Sequence, residues 1–255
     1  MRPSTRRSAV CAGVALALLL TAPGACAEVV DAGAAGHLLI LTPVGPPRAA
    51  VLLIPGGDTR QHIGADGAPT GKESNFLVRS RQLFVDRGFV VGLVENPDEL
   101  GAAIATLAQR ATPVILVGTS RGTIPAIANA VRYPATVGGV VLTSTVDDAL
   151  RQPLERITAP VFVVHAQDDG CRASPPWVAR DLGKRLPQAT VVVLTTHSAL
   201  VSAPCDALSP HGYLGIEPAI VDRIATWIDA LPARAEGASS APPRSRADRA
   251  GGARR

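Results

Sequence analysis

The feature that most constrains this chain is a run of five residues, Gly118-Thr119-Ser120-Arg121-Gly122, set between two different periodicities. The apolar run Pro113–Val117 before it reads as a strand, and Thr123–Val131 after it has the spacing of a helix. A strand that becomes a helix within so few residues leaves no room for side chains two positions either side of the serine, so glycine there is a steric requirement. The turn strains the serine and leaves its hydroxyl exposed at the carboxyl edge of a sheet. The helix that follows aims its unpaired amides and positive dipole end at the same point. G-x-S-x-G strings arise by chance in a chain rich in Gly and Ser. Correct flanks on both sides turn this one into the pattern of a nucleophile elbow.

At 255 residues the chain fits one domain with additional ends. Arg2, Arg6 and Arg7, the apolar stretch Ala9–Leu20 and the A-x-A site Ala25-Cys26-Ala27 read as a secretory signal over residues 1–27, too short for a stable membrane span. Acylation at Cys26 is the rival reading; it ranks second because Pro23 stands where a lipobox favours Leu. Residues 233–255 are rich in Ala, Arg, Ser, Gly and Pro without apolar period and read as a disordered basic tail. The segment 28–232 is the expected folded domain, periplasmic or secreted. The formal charge of +4 belongs to the ends. Once the leader and tail are set aside, acidic residues outnumber basic ones, the wrong balance for a nucleic-acid surface.

Within that domain, Val-, Ile- and Leu-rich runs alternate with amphipathic stretches. Strands are expected at His37–Thr42, Ala49–Ile54, Phe89–Val94, Val114–Val117, Val140–Thr143, Val161–His165 and Thr190–Leu194. Helices are expected at Asn75–Arg87, opening after Ser74, then at Asp98–Arg110, with acidic residues at its start, Arg121–Tyr133, Pro175–Leu186 and Glu217–Leu231. Continuous apolar strands alternating with helices imply an α/β fold with a mostly parallel sheet covered on both faces. Ligands of such sheets bind beyond the carboxyl ends of the strands, where Ser120 falls. Only Ser144–Pro160 separates two of the strands, so no large cap domain fits there. The Gly-containing stretch Arg60–Glu73 reads as a flexible loop that could serve as a lid; its Gly67–Lys72 run lacks the spacing of a phosphate loop.

A serine hydroxyl needs a histidine to take its proton and a carboxylate to orient that histidine. Val161–His165 runs into a turn containing Asp168 and Asp169, and Asp169 is the preferred acid because the earlier residue sits closer to the strand. His197 and His211 both lie on downstream loops, while His165 reads as structural. Without the leader, Cys171 and Cys205 are the only cysteines, an even number in an oxidising compartment, which suggests a disulfide. That bond would tie the acid loop to the loop of His211 and so favours His211 as the base. Glu95 is a secondary candidate for the acid. Arg121 could meet an anionic substrate group or pair with Asp58 or Glu95. Asn75, Arg79 and Arg81 are taken as solvated helix residues.

The order Ser120, Asp169, His211 along this strand pattern resembles the α/β-hydrolase superfamily over roughly residues 37–231. Pro55–Asp58, Asn75–Arg81, Gly118–Thr123, Asp169–Arg172 and Cys205–Tyr213 resemble, more narrowly, a group of small bacterial hydrolases within it. The resemblance implies an oxyanion hole made by the backbone amides of Arg121 and of Gly57, or alternatively Asp58. The expected function is hydrolysis of small or medium carboxylic esters, or thioesters, through an acyl-enzyme on Ser120. A serine peptidase and a non-catalytic binding protein are the alternatives. No Cys/His set has metal-ligand spacing once the disulfide is assigned, and no dinucleotide fingerprint is present, so neither metal nor cofactor is expected; the partner is a small-molecule ester.

Overall fold

The uninterrupted apolar runs become strands because each is covered on both faces. In the computed structural model, which describes residues 8–9, 26–58 and 61–232, a single large sheet is formed by β1 (Ser8–Ala9), β2 (Cys26–Asp31), β3 (His37–Thr42), β4 (Ala49–Ile54), β7 (Phe89–Val94), β8 (Val114–Thr119), β9 (Val137–Thr143), β10 (Val161–Ala166) and β11 (Ala189–Leu194). Its order is β1-β2-β3-β7-β4-β8-β9-β10-β11. The strands from β7 through β11 pair in parallel, whereas β2 and β3 run antiparallel to their neighbours. The expected leader lies outside the described residues except for Ser8, Ala9, Cys26 and Ala27, and the tail 233–255 lies outside them altogether.

Side chains of each strand alternate between two cores. Along β4, Ala50, Leu52 and Ile54 pack on one face with α3 (Gly101–Ala108), α4 (Thr123–Arg132) and α5 (Trp177–Arg185). Ala49, Val51 and Leu53 pack on the other with α1 (Phe76–Arg79), α2 (Arg81–Asp86) and α6 (Glu217–Asp229). All six β4 residues are fully buried. Each of the Val, Leu and Ile side chains of β4 contributes about 1.5–3 kcal/mol relative to exposure, and burial on both faces is why alternation of polarity is absent from these strands.

Three expectations change in detail. The stretch Asn75–Arg87 is two helices, broken at Ser80, and the first is capped by Asn75, whose side chain accepts from the Leu77 amide, rather than by Ser74. The helix expected from Asp98 starts at Gly101 and has no acidic residue in its first turn. The stretch read as a flexible loop carries a small antiparallel hairpin, β5 (His62–Ile63) with β6 (Pro69–Thr70). It is tied down, since buried Gln61 donates to the Val94 carbonyl and the Ile63 amide donates to Glu95. Between β9 and β10 there are only two short 3-10 turns, Asp147–Arg151 and Leu154–Arg156, so no cap domain interrupts the fold.

Candidate active site

The turn after β8 carries its own steric signature. Ser120 has φ 54°, in the left-handed region that an L-residue adopts only under constraint from its surroundings. A Cβ on Gly118 would lie 2.6 Å from the Gly122 carbonyl oxygen, so the expected glycine requirement is met on the strand side. On the opposing loop, a Cβ on Gly56 would lie 2.7 Å from the Ser120 Cβ, so the segment after β4 presses directly against the serine. Gly57 follows with φ +85° and open space where a Cβ would stand.

The β10–α5 and β11–α6 loops bring two more groups to this point. His211 Nε2 lies 3.0 Å from Ser120 Oγ, and its Nδ1 lies 2.8 Å from Asp169 Oδ2. Because a carboxylate only accepts, the proton sits on Nδ1 and the Nε2 lone pair faces the serine hydroxyl. Asp169 is buried, and its second oxygen accepts from the Cys171 amide. His211 is buried too. Of the two candidate histidines the structure brings His211 to Ser120; His197 is exposed, with its backbone held by Asp168.

Asp168 accepts from the amide and hydroxyl of Thr196 and from the His197 amide. Partial burial works against its charge, but these donors prevail and hold its carboxyl below the usual carboxylate range. Glu95, the secondary candidate for the acid, is committed elsewhere, accepting from the His37 and Ile63 amides. His165 is fully buried beside the site: its Nε2 donates to the Ser174 carbonyl at 3.0 Å and lies 3.6 Å from Asp169 Oδ2. Burial lowers its pKa against the pull of Asp169, so it stays neutral. Cys171 and Cys205 are joined, with Cα atoms 4.4 Å apart. Although Cys171 lies close enough to Asp169 and His211 for the three to form a candidate metal-ligand group, its sulfur is committed to that bond and offers no thiolate.

Several supporting residues could not be read from the sequence. Ser144, just past β9, has φ 44°, donates its hydroxyl to the His211 carbonyl and its amide to the Tyr213 hydroxyl. Tyr213 is fully buried, which pushes its phenol far above the ordinary range, so the hydroxyl stays protonated and donates to the Val164 carbonyl. Ser209 caps the short 3-10 turn Pro210–Gly212 by accepting from the His211 amide. Arg79, expected to be solvated, is mostly buried and donates to the Gly212 carbonyl and to Glu217. It thereby pins both ends of the loop between His211 and α6. A chain of local Gly and Ser signals announced the turn at Ser120. No local signal marks Ser144 or Arg79, because their partners lie 67 and 133 positions away.

A cleft of about 610 Å³ opens on this constellation, bounded by Ser120, His211, Gly57, Lys72, Asn75, Phe76, Val146 and the disulfide. A second cavity of about 300 Å³ adjoins it across Asp58 and Arg121, which are ion-paired at the surface. Of the partners open to Arg121 at the sequence level, Asp58 is the one it takes.

An eight-stranded, mostly parallel sheet from β2 to β11 with helices on both faces and this strand order defines the α/β-hydrolase fold. Solved structures of that fold superpose on most of the chain. They include Est1E from Butyrivibrio proteoclasticus (12% identity, TM-score 0.56, covering 79% of this chain and 97% of that one). A putative alpha/beta hydrolase from Agrobacterium tumefaciens matches at 14% identity and TM-score 0.52, covering 80% and 94%. A serine hydrolase without lid from Xanthomonas campestris matches at 17% identity and TM-score 0.50, covering 84% and 100%. No protein-family model matches the chain, and no curated protein matches it in sequence.

Proposed function

We propose that this protein is a serine hydrolase of small or medium carboxylic esters, working through an acyl-enzyme. The observation that carries the reading is the imidazole of His211, which spans Ser120 Oγ at 3.0 Å and Asp169 Oδ2 at 2.8 Å. In this reading Ser120 attacks the ester carbonyl while His211 takes its proton, and Asp169 stabilises the resulting imidazolium. The oxyanion is held by the amides of Gly57 and Arg121; each such donor is worth about 3–4 kcal/mol of barrier lowering. His211 then returns its proton to the leaving alcohol, and water, activated by the same imidazole, releases the acid. Proposed roles outside the chemistry follow the same pattern: the Cys171–Cys205 bond keeps acid and base loops in register, residues 1–27 act as a secretory leader, and the protein works in the periplasm or outside the cell.

The cleft supports a short acyl group. Phe76, Val146, Ala173 and Leu208 are its main apolar walls, and Lys72, Ser74, Asn75 and Asp206 make the remainder polar. A long chain would leave its methylenes beside these polar groups and gain little of the roughly 0.8 kcal/mol available per buried CH₂. The test is labelling of the folded protein with a fluorophosphonate probe together with p-nitrophenyl esters of increasing chain length. Labelling that disappears in Ser120→Ala, and kcat/KM highest for the short acyl esters, are expected. Folded protein that takes no label would leave a binding protein in place of an enzyme.

A further inference from the structure

Lys72 does not belong to the Ser120, His211 and Asp169 constellation, yet it reaches the loop that faces the serine. Its Nζ donates to the Gly56 carbonyl at 2.7 Å. Its backbone is fixed independently, since its own carbonyl accepts from the amide of Asn75, the residue that caps α1. The side chain therefore bridges from a helix start to the backbone segment that packs on Ser120.

The bond matters because of what lies at the other end of that peptide unit. The Gly56 carbonyl and the Gly57 amide belong to one planar trans peptide, so they point in opposite directions. Gripping the oxygen fixes where the N–H is aimed. Two glycines in succession give this segment unusual freedom, and Gly57 sits at φ +85° with open space where a side chain would stand. An ordinary side chain at position 57 would be strained there; an external grip is what the backbone needs. We propose that Lys72 is a positioning residue that sets and polarises the Gly57 amide of the oxyanion hole. This inference rests on the serine-hydrolase reading above.

The chemistry of the grip adds to its geometry. A charged donor makes a stronger hydrogen bond than a neutral one, and it draws electron density from the carbonyl, which strengthens the N–H of the same unit as a donor. Lys72 is half-buried, and this burial lowers its pKa against the nearby charge of Asp58. A partly desolvated ammonium a single peptide away from a developing oxyanion stabilises that charge more than a solvated one would. The residue lines both the main cleft and its neighbour, so the contrasting role, direct contact with an anionic substrate group, needs to be separated by experiment.

The experiment compares Lys72→Met, Lys72→Gln and Lys72→Arg with the wild type and with Ser120→Ala. Each is followed by steady-state kinetics on p-nitrophenyl acetate, by inhibition with a trifluoromethyl ketone and by thermal melting. Lys72→Met is expected to lower kcat about 10- to 100-fold, less than the loss of a whole oxyanion donor, with KM changed by less than about twofold. Affinity for the tetrahedral-forming ketone falls in parallel with kcat/KM, the melting temperature stays near wild type, and Lys72→Arg restores part of the rate. A rise in KM with kcat unchanged would make Lys72 a substrate contact and overturn the proposal. So would kinetics indistinguishable from wild type. If Lys72→Met fails to fold, Lys72→Gln and Lys72→Arg carry the same comparison. If Ser120→Ala hydrolyses the ester as well as wild type, the serine-hydrolase reading itself has failed, a result distinct from any Lys72 outcome.

Discussion

Asp168 and Asp169 are adjacent and chemically identical, and the fold gives them opposite tasks. Asp169 turns inward to His211 and the Cys171 amide, while Asp168 gathers Thr196 and His197 and so anchors the segment leaving β11. Asp169→Asn is expected to keep the fold but lower kcat roughly 10³–10⁴-fold, because an amide stabilises the wrong imidazole tautomer. Asp168→Asn is expected to retain most of the turnover and to lower the melting temperature at neutral pH instead. The sign follows from the lowered pKa of Asp168 in the folded chain. Its contribution to stability is complete above the ordinary carboxylate value and is lost as pH falls through the lower folded value. The melting gap between Asp168→Asn and wild type therefore narrows in acid, which scanning calorimetry across the pH range checks. The meeting of Asp169 and His211, rather than Asp168 and His197, beside Ser120 agrees with the distance past the strand and with the placing of the cysteines in the sequence. Arg79 is expected to be solvated because Arg usually is; its partners, the Gly212 carbonyl and Glu217, are brought to it only by the tertiary fold.

At the level of elements, strands were the most legible part because burial on both faces leaves a continuous apolar run. His37–Thr42, Ala49–Ile54 and Phe89–Val94 coincide with their expected limits, and the others differ by one to three residues at an end. The strand β2 escaped notice: only partly buried and starting at Cys26, it overlaps the expected cleavage site. The hairpin β5–β6 escaped because two-residue strands have no period to detect. The break between α1 and α2 is placed by Ser80, which is buried and whose hydroxyl has no hydrogen-bond partner among the described residues. Removing such a hydroxyl relieves a desolvation penalty of about 1–3 kcal/mol, so Ser80→Ala is expected to raise the denaturant midpoint. Phe84→Ala, by contrast, empties a fully buried position on α2 and is expected to cost about 3–5 kcal/mol in the same measurement.

Across the whole molecule, the covalent link between Cys171 and Cys205 spans 34 positions and joins the two loops that carry Asp169 and His211. Closing a loop of that length contributes roughly 3–4 kcal/mol in the chain-entropy model. The sheet and both cores lie outside that loop for most of their extent, so reduction is expected to lower esterase turnover at reductant concentrations where far-ultraviolet circular dichroism is unchanged. Equal turnover in Cys171→Ser and wild type would remove the link from the mechanism. The two ends of the described domain share a location. Arg48, just ahead of β4, pairs with Asp229 at the last turn of α6, and Cys26 stands opposite Thr42, the end of an antiparallel strand. Cys26 and Asp229 thus both lie at the amino ends of the parallel strands, whereas Ser120 sits at their carboxyl ends. An affinity handle, a fused carrier or a solid support joined directly at either of these two ends of the described domain would consequently leave from the side opposite Ser120 and keep the cleft open to solution.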